Sequence, residues 1–512
     1  MDGMNRRDFL KLAATVPLSG MFHRLAPDLI HGSSDSAKIP NIIIIVIDTL
    51  SARNMSLYGY PRKTTPNLDK FSQRATVYHG HHSAGNFTVP GTASLLTGTY
   101  PWTHRGMNFP GLIDRDLVRR NIFKILPQAY NRIAFTQNPW AMHLLAQFND
   151  GIDWIIPSSS FSAANLVFGE KFTKDLNTAS FSLDEFLFRD VYNPPPSLVF
   201  GSLERFLLRR NSLLANREKR AFPDGMPSQD FAIYFYLNEL FNGLYSAINK
   251  FPSPYLAYIH LWGVHQPYSP EQSYFRMFHD GWKPEEKPRH PLAEFETYRD
   301  QLQARNRYDE YIANFDFELG KLLNRLEQLG TLENTYVFIT SDHGESCERG
   351  YQGHGTPLMF EPLIHVPLMV FSPGQRERVD VYSLTNNVDI LPTLAVITNQ
   401  GIPEWCEGFP LPEVGGTQDP QRVTFSSETK YSNQDEPFKT GSIVLLRGRY
   451  KLVRYDYSLF DQYDRFSGYE LYDLENDPEE LNNLYSSLPK ISNLLQEELQ
   501  SRLDLANQSH QL

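Results

Sequence analysis

The chain has 512 residues, of which 41 % are hydrophobic, and a formal net charge of -11. This length and composition predict a globular protein with one large domain and a smaller one, and the charge argues against nucleic acid or an anionic membrane surface as the main partner. The only cysteines, Cys347 and Cys406, exclude a disulfide framework and a thiolate zinc site but leave room for one bridge.

The first segment has the pattern of an export signal. Residues 5–11 contain the pair Arg6 and Arg7, and a short apolar run follows at residues 12–18. Paired arginines before a weakly hydrophobic run are typical of a twin-arginine signal, and the run is too short for a stable membrane span. We therefore expect residues 1–35 to be a signal and linker, and the mature protein to be exported, periplasmic or extracellular.

The next segment predicts a buried strand that ends in a carboxylate. Residues 42–47, IIIIVI, form a continuous β-branched run of the kind that is buried in a parallel sheet. Asp48 follows at the carboxyl end, where open α/β sheets bind their ligands. A charge at that position is costly unless it is paired or bound to a metal, although an Asp that caps the next turn also fits.

Residues 86–98, NFTVPGTASLLTG, predict a loop followed by a short helix. Pro90 suits the first helical position, and Gly98 can end the helix in the left-handed conformation. Thr88 is then expected just before the helix, where backbone N–H groups favour negative charge. An ordinary N-cap is the alternative interpretation of Thr88.

Two further segments are interpreted as structural. His79, His81 and His82 lie close together at a spacing that suits a surface or edge strand. Residues 229–250 are predicted to form one amphipathic helix, because polar and apolar residues alternate with a helical period.

Later strands end in histidines and a second carboxylate. Residues 255–261 predict a strand with His260 near its end and His265 in the following loop. Residues 336–339 predict another buried strand, after which come Asp342 and His343, and then His354 in the next loop. The alternation of buried strands and helices indicates an α/β domain with a mainly parallel sheet. His260 and His265 each have an alternative interpretation as a buried, hydrogen-bonded core residue.

The last part of the chain has a different texture. Short strands from about residue 420, followed by a helix near residues 490–505, predict a small antiparallel sheet with a terminal helix. We therefore expect a catalytic α/β domain over residues 36–415 and a C-terminal subdomain over residues 416–512.

Four of these side chains are expected to meet at one place. Asp48, Thr88, Asp342 and His343 all lie at or just beyond the carboxyl ends of predicted strands, which share one edge of a parallel sheet. Two carboxylates, an imidazole and a hydroxyl can bind a divalent cation such as Ca, Mn or Zn. A coordinated hydroxyl has a lowered pKa, so Thr88 becomes usable as a nucleophile.

Several motifs occur in the order of one known family. They are IVIDTL (45–50), LYGYPRKTTPNL (57–68), TVPGTASLLTGTYP (88–101), HLWGVHQPY (260–268), TSDHGES (340–346), HVPLMVFSPG (365–374), NVDILPTL (387–394) and YELYDLENDPEELNNLY (469–485). On these motifs the chain resembles the sulfatase family of the alkaline-phosphatase-like superfamily, over nearly all of its exported part.

The resemblance implies a fold and a set of roles. The fold is an alkaline-phosphatase-like α/β/α sandwich with a mainly parallel central sheet. Asp48, Thr88, Asp342 and His343 correspond to metal ligands, and Thr88 also to the nucleophile. The matching positions of the remaining three histidines contact the sulfuryl or phosphoryl oxygens or the leaving group; they are His260, His265 and His354.

Three positions depart from the family pattern. Thr88 replaces the Cys or Ser that is oxidised to formylglycine, Thr92 replaces an Arg, and Thr49 replaces the second of two aspartates. A threonine would give a ketone rather than an aldehyde on oxidation. A Thr nucleophile with an Asp and Asp-His shell resembles the phosphotransferase and phosphodiesterase branches instead.

These three departures from the family pattern favour one of three candidate functions. The sequence favours a metal-dependent hydrolase or transferase of phospho-esters that works through Thr88, on a small-molecule, glycan or lipid ester. Sulfate-ester hydrolysis without formylglycine and a non-catalytic binding protein with the same fold are the alternatives. The oligomeric state is not determined by the sequence.

Overall fold

The computed structural model describes residues 39–108, 111–163, 218–229, 233–293, 296–432 and 436–508. Residues Ile39–Leu512 form one compact unit. The predicted twin-arginine signal lies outside the described residues. Within them, no helix combines the length and the apolar character needed to cross a membrane.

The central sheet has eight strands in the order β12-β2-β11-β8-β1-β7-β3-β4. They are β1 (Asn41–Ile47), β2 (Thr76–His82), β3 (Asn131–Thr136), β4 (Trp154–Ile156), β7 (Tyr255–Leu261), β8 (Thr335–Thr340), β11 (Leu368–Phe371) and β12 (Val379–Asn386). Only β11 runs antiparallel to its neighbours in this sheet. The sheet is therefore mainly parallel, as the sequence predicts.

The remaining strands form three small sheets. Two are pairs, β5 (Ser228–Gln229) with β6 (Ile233–Tyr234) and β9 (Ser346–Glu348) with β10 (Tyr351–Gly353). The third is the predicted antiparallel sheet, with β13 (Val423–Glu428), β14 (Gly441–Arg447), β15 (Tyr450–Asp456) and β16 (Ser467–Asp473) in sequence order.

Helices cover both faces of the central sheet. They are α1 (Pro66–Phe71), α2 (Thr88–Thr97), α3 (Pro101–His104), α4 (Ile122–Ile125), α5 (Pro139–Gln147), α6 (Leu237–Ile248), α7 (Tyr298–Gln328), α8 (Glu361–Ile364), α9 (Ile390–Ile397) and α10 (Pro489–Gln508). Several short 3-10 turns connect these elements.

Strand β1 explains why the sheet is buried on both sides. Its alternate residues Ile43, Ile45 and Ile47 pack in one core with residues of α6 and α7. The residues between them, Ile42 and Ile44 among them, pack in a second core with residues of α2, α5 and α9. Because successive side chains of a strand point to opposite faces, an unbroken β-branched run needs an apolar layer on each side. This arrangement confirms the α/β/α sandwich.

Two structural predictions were wrong. His81 and His82 are buried, because β2 is an interior strand between β12 and β11. His81 is held between Thr385 Oγ1 and Asn387 Oδ1, each at 2.9 Å. The amphipathic helix begins only at Leu237, because the chain before it forms the strand pair β5 and β6.

The antiparallel sheet is joined directly to the segment that precedes α2. Ser427, in β13, donates its N–H to the carbonyl of Ala84 at 2.9 Å. The hydroxyl of Ser426 donates to the carbonyl of Ser83 at 2.5 Å. The end of β13 is therefore fixed next to the loop that leads into α2 and Thr88.

Candidate metal centre and active site

The carboxyl ends of β1 and β8 bring two aspartates and a histidine together. Asp48 follows β1, and Asp342 and His343 follow β8; all three side chains are fully buried. Their oxygen and nitrogen atoms lie within 4.8 Å of one another. His343 Nε2 is 3.5 Å from Asp48 Oδ1 and 3.6 Å from Asp342 Oδ2. Two carboxylates next to an imidazole make a donor set that suits a divalent cation.

Thr88 completes this group from the first turn of α2. Its Oγ1 is 3.4 Å from His343 Nε2. Thr88 is the first helical residue rather than the residue before the helix, because the extended backbone of Phe87 occupies the N-cap position. The predicted end of the helix is correct, since Gly98 adopts a left-handed conformation with φ of 67°.

Close packing fixes α2 against Asp342. A Cβ atom at Gly91 would lie 2.1 Å from the carbonyl oxygen of Asp342, so only glycine allows this approach. The hydroxyl of Ser83 donates to the same carbonyl. Asn387 Nδ2 lies 3.5 Å from it. These contacts therefore fix the separation between helix α2 and Asp342 at the end of β8.

Asn138 was missed by the sequence analysis. Its amide nitrogen Nδ2 donates to Asp48 Oδ2 at 2.6 Å and to Thr88 Oγ1 at 3.2 Å. Its Oδ1 accepts the N–H groups of Trp140 at 2.8 Å and Ala141 at 3.1 Å, which caps helix α5. Because those N–H groups require the oxygen, the nitrogen must face Asp48 and Thr88. An Asn-Pro pair directly after a buried strand was the signal that could have located it.

The imidazole of His343 is oriented by the backbone. His343 Nδ1 lies 3.0 Å from the carbonyl of Gly344, so Nδ1–H donates and Nε2 keeps its lone pair toward the aspartates. Burial holds the pKa of His343 well below its usual range. The ring is therefore neutral at neutral pH, which is the form that binds metals.

His260 lies next to the carboxylates of Asp48 and Asp342. Its Nε2 is 3.6 Å from Asp342 Oδ2 and 3.9 Å from Asp48 Oδ2, and Tyr258 OH is 3.0 Å from its Nδ1. Burial lowers the pKa of His260 to about 4, and the charge of Asp342 opposes this shift. Burial also raises the pKa of Asp342, opposed by His260 and by backbone N–H groups that include that of Thr49. A cation bound by these carboxylates would offset the cost of burying them.

The three departures from the family pattern have local explanations in part. Thr92 is buried, and its hydroxyl donates to Asp342 Oδ2 at 3.4 Å. A neutral side chain therefore stands where the family pattern has the charged side chain of arginine. Thr49 adopts a left-handed conformation with φ of 62°, which is strained for a β-branched residue. Tyr308 OH donates to the Thr49 carbonyl at 2.6 Å and accepts the N–H of Ser51 at 3.0 Å.

Two further histidines, His265 and His354, lie close to His343. His265 and His354 have ring centroids 4.8 Å apart. His265 Nδ1 is 2.6 Å from the carbonyl of Gln266, and His354 Nδ1 is 3.1 Å from Glu345 Oε2. Burial lowers the pKa of His265 to about 3 and that of His354 to about 4. The hydrogen bond at Nδ1 therefore orients each ring, and Nε2 of each ring remains available to a ligand in the cavity.

A cavity of about 210 Å3 connects these groups to the surface. It is lined by Phe87, Thr88, Asn138, Trp140, Trp262, His265, His354, Gly355 and Lys430. Thr88 is 4 % exposed at its inner end, whereas Asp48, Asp342, His343 and His260 are fully buried behind it. Of the predicted site residues, Thr88, His265 and His354 line the cavity. His260 is near the carboxylates and does not.

Two family models match the chain. The model described as Sulfatase matches residues 40–399, and the model described as N-sulphoglucosamine sulphohydrolase, C-terminal, matches residues 350–509. The first of these covers more than half of the chain.

Relatives and solved structures agree with these models. Arylsulfatase K of Homo sapiens is 23 % identical over 525 aligned residues, which cover 93 % of this chain and 84 % of that protein. Arylsulfatase K of Bos taurus is 29 % identical over 217 residues, which cover 40 % of this chain and 37 % of that protein. The phosphonate monoester hydrolase of Agrobacterium radiobacter has the same fold, with a TM-score of 0.64 at 19 % identity over 92 % of this chain and 96 % of that chain.

The sandwich fold, the ordered motifs and the family model that spans the α/β domain lead to one conclusion: this chain belongs to the sulfatase family of ester hydrolases.

Proposed function

We propose that this protein is a metal-dependent hydrolase or transferase of phospho-esters in which Thr88 is the nucleophile. The observation that carries the proposal is the position of the Thr88 hydroxyl. It lies at the inner end of the cavity, 3.2 Å from Asn138 Nδ2 and 3.4 Å from His343 Nε2. It is therefore the hydroxyl that a bound ester would meet next to the buried aspartates.

Asp48, Asp342 and His343, together with Thr88, are the residues that would hold the cation. The imidazole favours Mn or Zn over Ca, which prefers oxygen ligands alone. When bound, such a cation lowers the pKa of a coordinated hydroxyl and stabilises negative charge on phosphoryl oxygens.

The side chains of this chain then have distinct roles in the reaction. Thr88 Oγ1 loses its proton to solvent water in the cavity and forms a bond to phosphorus, while the bond from phosphorus to the leaving oxygen breaks. His265 or His354 gives a proton to that oxygen from Nε2, once the negative charge of the bound ester has raised the pKa of the ring from the low value that burial gives it. Asn138 Nδ2 donates to Thr88 Oγ1 and stabilises the negative charge that develops on this oxygen as its proton leaves. Water or an acceptor alcohol then attacks phosphorus and gives its proton to the histidine that protonated the leaving oxygen. The bond from phosphorus to Thr88 Oγ1 breaks, and Oγ1 takes up a proton from solvent, which regenerates the hydroxyl.

The residues around Thr88 favour phosphorus over sulfur. Threonine cannot give the aldehyde of formylglycine, and the buried Thr92 replaces the arginine that the family pattern carries. Sulfate-ester hydrolysis with Thr88 as direct nucleophile is the second candidate, since both matching family models bear the names of sulfate-releasing proteins.

The substrate is proposed to be a small-molecule, glycan or lipid ester, met outside the cytoplasm. The paired arginines at positions 6 and 7 support export by a twin-arginine signal. The same proposal divides the mature chain into a catalytic domain to about residue 415 and a C-terminal subdomain after it.

The test compares nitrophenol release from a nitrophenyl phosphodiester and from nitrophenyl sulfate. Wild type, Thr88→Ala and Thr88→Ser are assayed with Ca, Mn or Zn. Diester cleavage that is lost in Thr88→Ala and partly kept in Thr88→Ser is the expected result. A preference for the sulfate would establish the second candidate. Turnover that survives in Thr88→Ala would refute a threonine nucleophile.

A further inference from the structure

Lys430 is a cation in the cavity wall whose role the proposed reaction leaves unexplained. It follows β13 by two residues and lines the cavity together with Thr88. Its Nζ lies 3.4 Å from the carbonyl of Gly355. Among the described residues, no carboxylate forms an ion pair with it within 4.0 Å.

Two lysines whose side chains have little exposure are paired with acids. Lys451 Nζ is 3.0 Å from Glu361 Oε1 and 2.7 Å from Glu480 Oε1. Lys287 Nζ is 2.8 Å from Glu348 Oε1. An ammonium removed from water without a counter-ion costs free energy, so paired lysines are the expected arrangement. Lys430 is partly exposed and has no such partner within 4.0 Å among the described residues, so its charge is available to an anion that enters the cavity.

The backbone at Lys430 is held firmly in place. Its N–H donates to Glu428 Oε1 at 2.7 Å, and Tyr457 OH donates to Glu428 Oε2 at 2.6 Å. The hydroxyl of Thr429 donates to the carbonyl of Met107 at 2.5 Å. The antiparallel sheet therefore delivers this lysine to the cavity from a part of the chain that is remote from Thr88.

The other groups in the wall do not neutralise the charge of Lys430. The residues that line the cavity include no aspartate or glutamate, and the carboxylate of Glu428, two residues before Lys430, accepts hydrogen bonds from the Lys430 N–H and from Tyr457 OH. The charge of Lys430 itself contributes to the lowered pKa of His354. Lys430 is therefore the cationic side chain of a cavity wall that also contains the aromatic rings of Trp140 and Trp262.

The position of Lys430 along the cavity indicates which part of an ester it meets. In an in-line displacement the leaving group departs on the side opposite the nucleophile. Thr88 is at the buried end, whereas Lys430, Trp140 and His354 are partly exposed nearer the surface. The leaving group therefore extends past Lys430 on its way out.

We propose that Lys430 is a specificity determinant that binds an anionic group on the leaving group, so that the preferred substrates are esters whose organic part carries its own carboxylate, phosphate or sulfate. This inference rests on the proposed function, because it uses Thr88 as the nucleophile to orient the ester. Trp140, which lines the cavity and is partly exposed, offers a flat apolar surface for the ring that carries the anionic group.

The test uses two diesters of equal size, methyl 3-carboxyphenyl phosphate and methyl 3-carbamoylphenyl phosphate, which differ by one charge. We compare the ratio of their kcat/KM values in wild type, Lys430→Met, Lys430→Arg and the control Lys439→Met, which removes an exposed lysine of the same part of the chain. The different electronic effects of the two substituents cancel when these ratios are compared between variants.

The preference for the carboxylate is expected to fall about ten-fold in Lys430→Met, mostly through KM, since a hydrogen bond to a charged group is lost. Lys430→Arg and Lys439→Met should keep it, and added salt should weaken it in wild type. An equal loss of kcat on both diesters in Lys430→Met would overturn the inference, because Lys430 would then act on the transferred group.

Failure of the proposed function would be recognised separately. If wild type cleaves neither diester, binding of 3-hydroxybenzoate and 3-hydroxybenzamide is measured by calorimetry. A carboxylate preference that Lys430→Met abolishes would still support the anion site, and equal binding of both compounds would refute it.

Discussion

Asn138 provides a sensitive test of the site, because one side chain serves both the helix cap and the reacting groups. Its two amide hydrogens are directed to Asp48 Oδ2 at 2.6 Å and to Thr88 Oγ1 at 3.2 Å. Its oxygen caps α5 through the N–H groups of Trp140 and Ala141. Asn138→Ser removes the amide nitrogen and keeps an oxygen for the helix cap, whereas Asn138→Ala removes both.

The two roles of Asn138 have different energetic effects when they are lost. Loss of a donor that stabilises developing charge lowers kcat by roughly 10²- to 10³-fold, which corresponds to about 3–4 kcal/mol. Loss of an N-cap costs about 1 kcal/mol of stability, and Ser caps a helix about as well as Asn. We therefore expect Asn138→Ser and Asn138→Ala to share the loss of activity. Asn138→Ala should be about 1 kcal/mol less stable than Asn138→Ser.

Asn121→Ala is the matched control. Asn121 caps α4 in the same way, with its Oδ1 accepting the N–H groups of Phe123 at 3.0 Å and Lys124 at 3.2 Å, and it does not line the cavity. This variant should lose stability and keep its activity. Steady-state kinetics with saturating metal and denaturant unfolding measure the two effects on the same samples.

The reasoning would be refuted by a variant that keeps its rate. If Asn138→Ser has kcat within about three-fold of wild type, no transition-state charge depends on Nδ2. If Asn121→Ala loses activity to the same extent as Asn138→Ala, a general loss of stability explains both.

Three further changes have defined outcomes. Removal of the metal with EDTA should abolish turnover and lower the thermal midpoint, since a ligand at 100 times its Kd adds about 2.7 kcal/mol, and unchanged turnover would argue against a metal enzyme. Gly91→Ala places a Cβ atom 2.1 Å from the Asp342 carbonyl oxygen and should lower both activity and stability, whereas at Gly468, used as a control, a Cβ atom meets nothing within 4 Å. Burial lowers the pKa of His104 to about 3, and its Nδ1 accepts the N–H of Gly106 at 3.0 Å. Between pH 6.5 and about 3 the unfolded chain therefore binds a proton that the folded chain does not, and the free energy of unfolding falls by about 1.4 kcal/mol per pH unit as the pH drops. His104→Gln should reduce this slope in denaturant unfolding from pH 7 to 4, and an unchanged slope would contradict the assignment.

Local sequence patterns were sufficient for much of the fold. A β-branched run such as residues 42–47 has a single stable environment, a strand covered on both faces, whatever its neighbours are. A polar residue directly after such a run, such as Asp48 or Asp342, then lies at the edge where parallel strands bind ligands. The meeting of these side chains with Thr88 and His343 could therefore be predicted without knowledge of the sheet order.

Local patterns failed where the neighbours decided the environment. His81 and His82 have the alternation of an edge strand, but β2 lies inside the sheet, where the partners of His81 come from β12 and the turn after it. The helix predicted from residue 229 begins at Leu237, because short strand pairing prevails over helical periodicity before it.

The sequence by itself therefore determined the sandwich, its motifs and the group formed by Asp48, Thr88, Asp342 and His343, because each depends on a short run of residues and on the common direction of parallel strands. The tertiary structure alone decided the surroundings of Thr88. Asn138 enters from the N-terminus of α5, and Lys430 enters from the end of β13, 50 and more than 300 residues from Thr88 along the chain. No local period links such distant residues, since only the packing of helix, sheet and loop brings their side chains to one cavity.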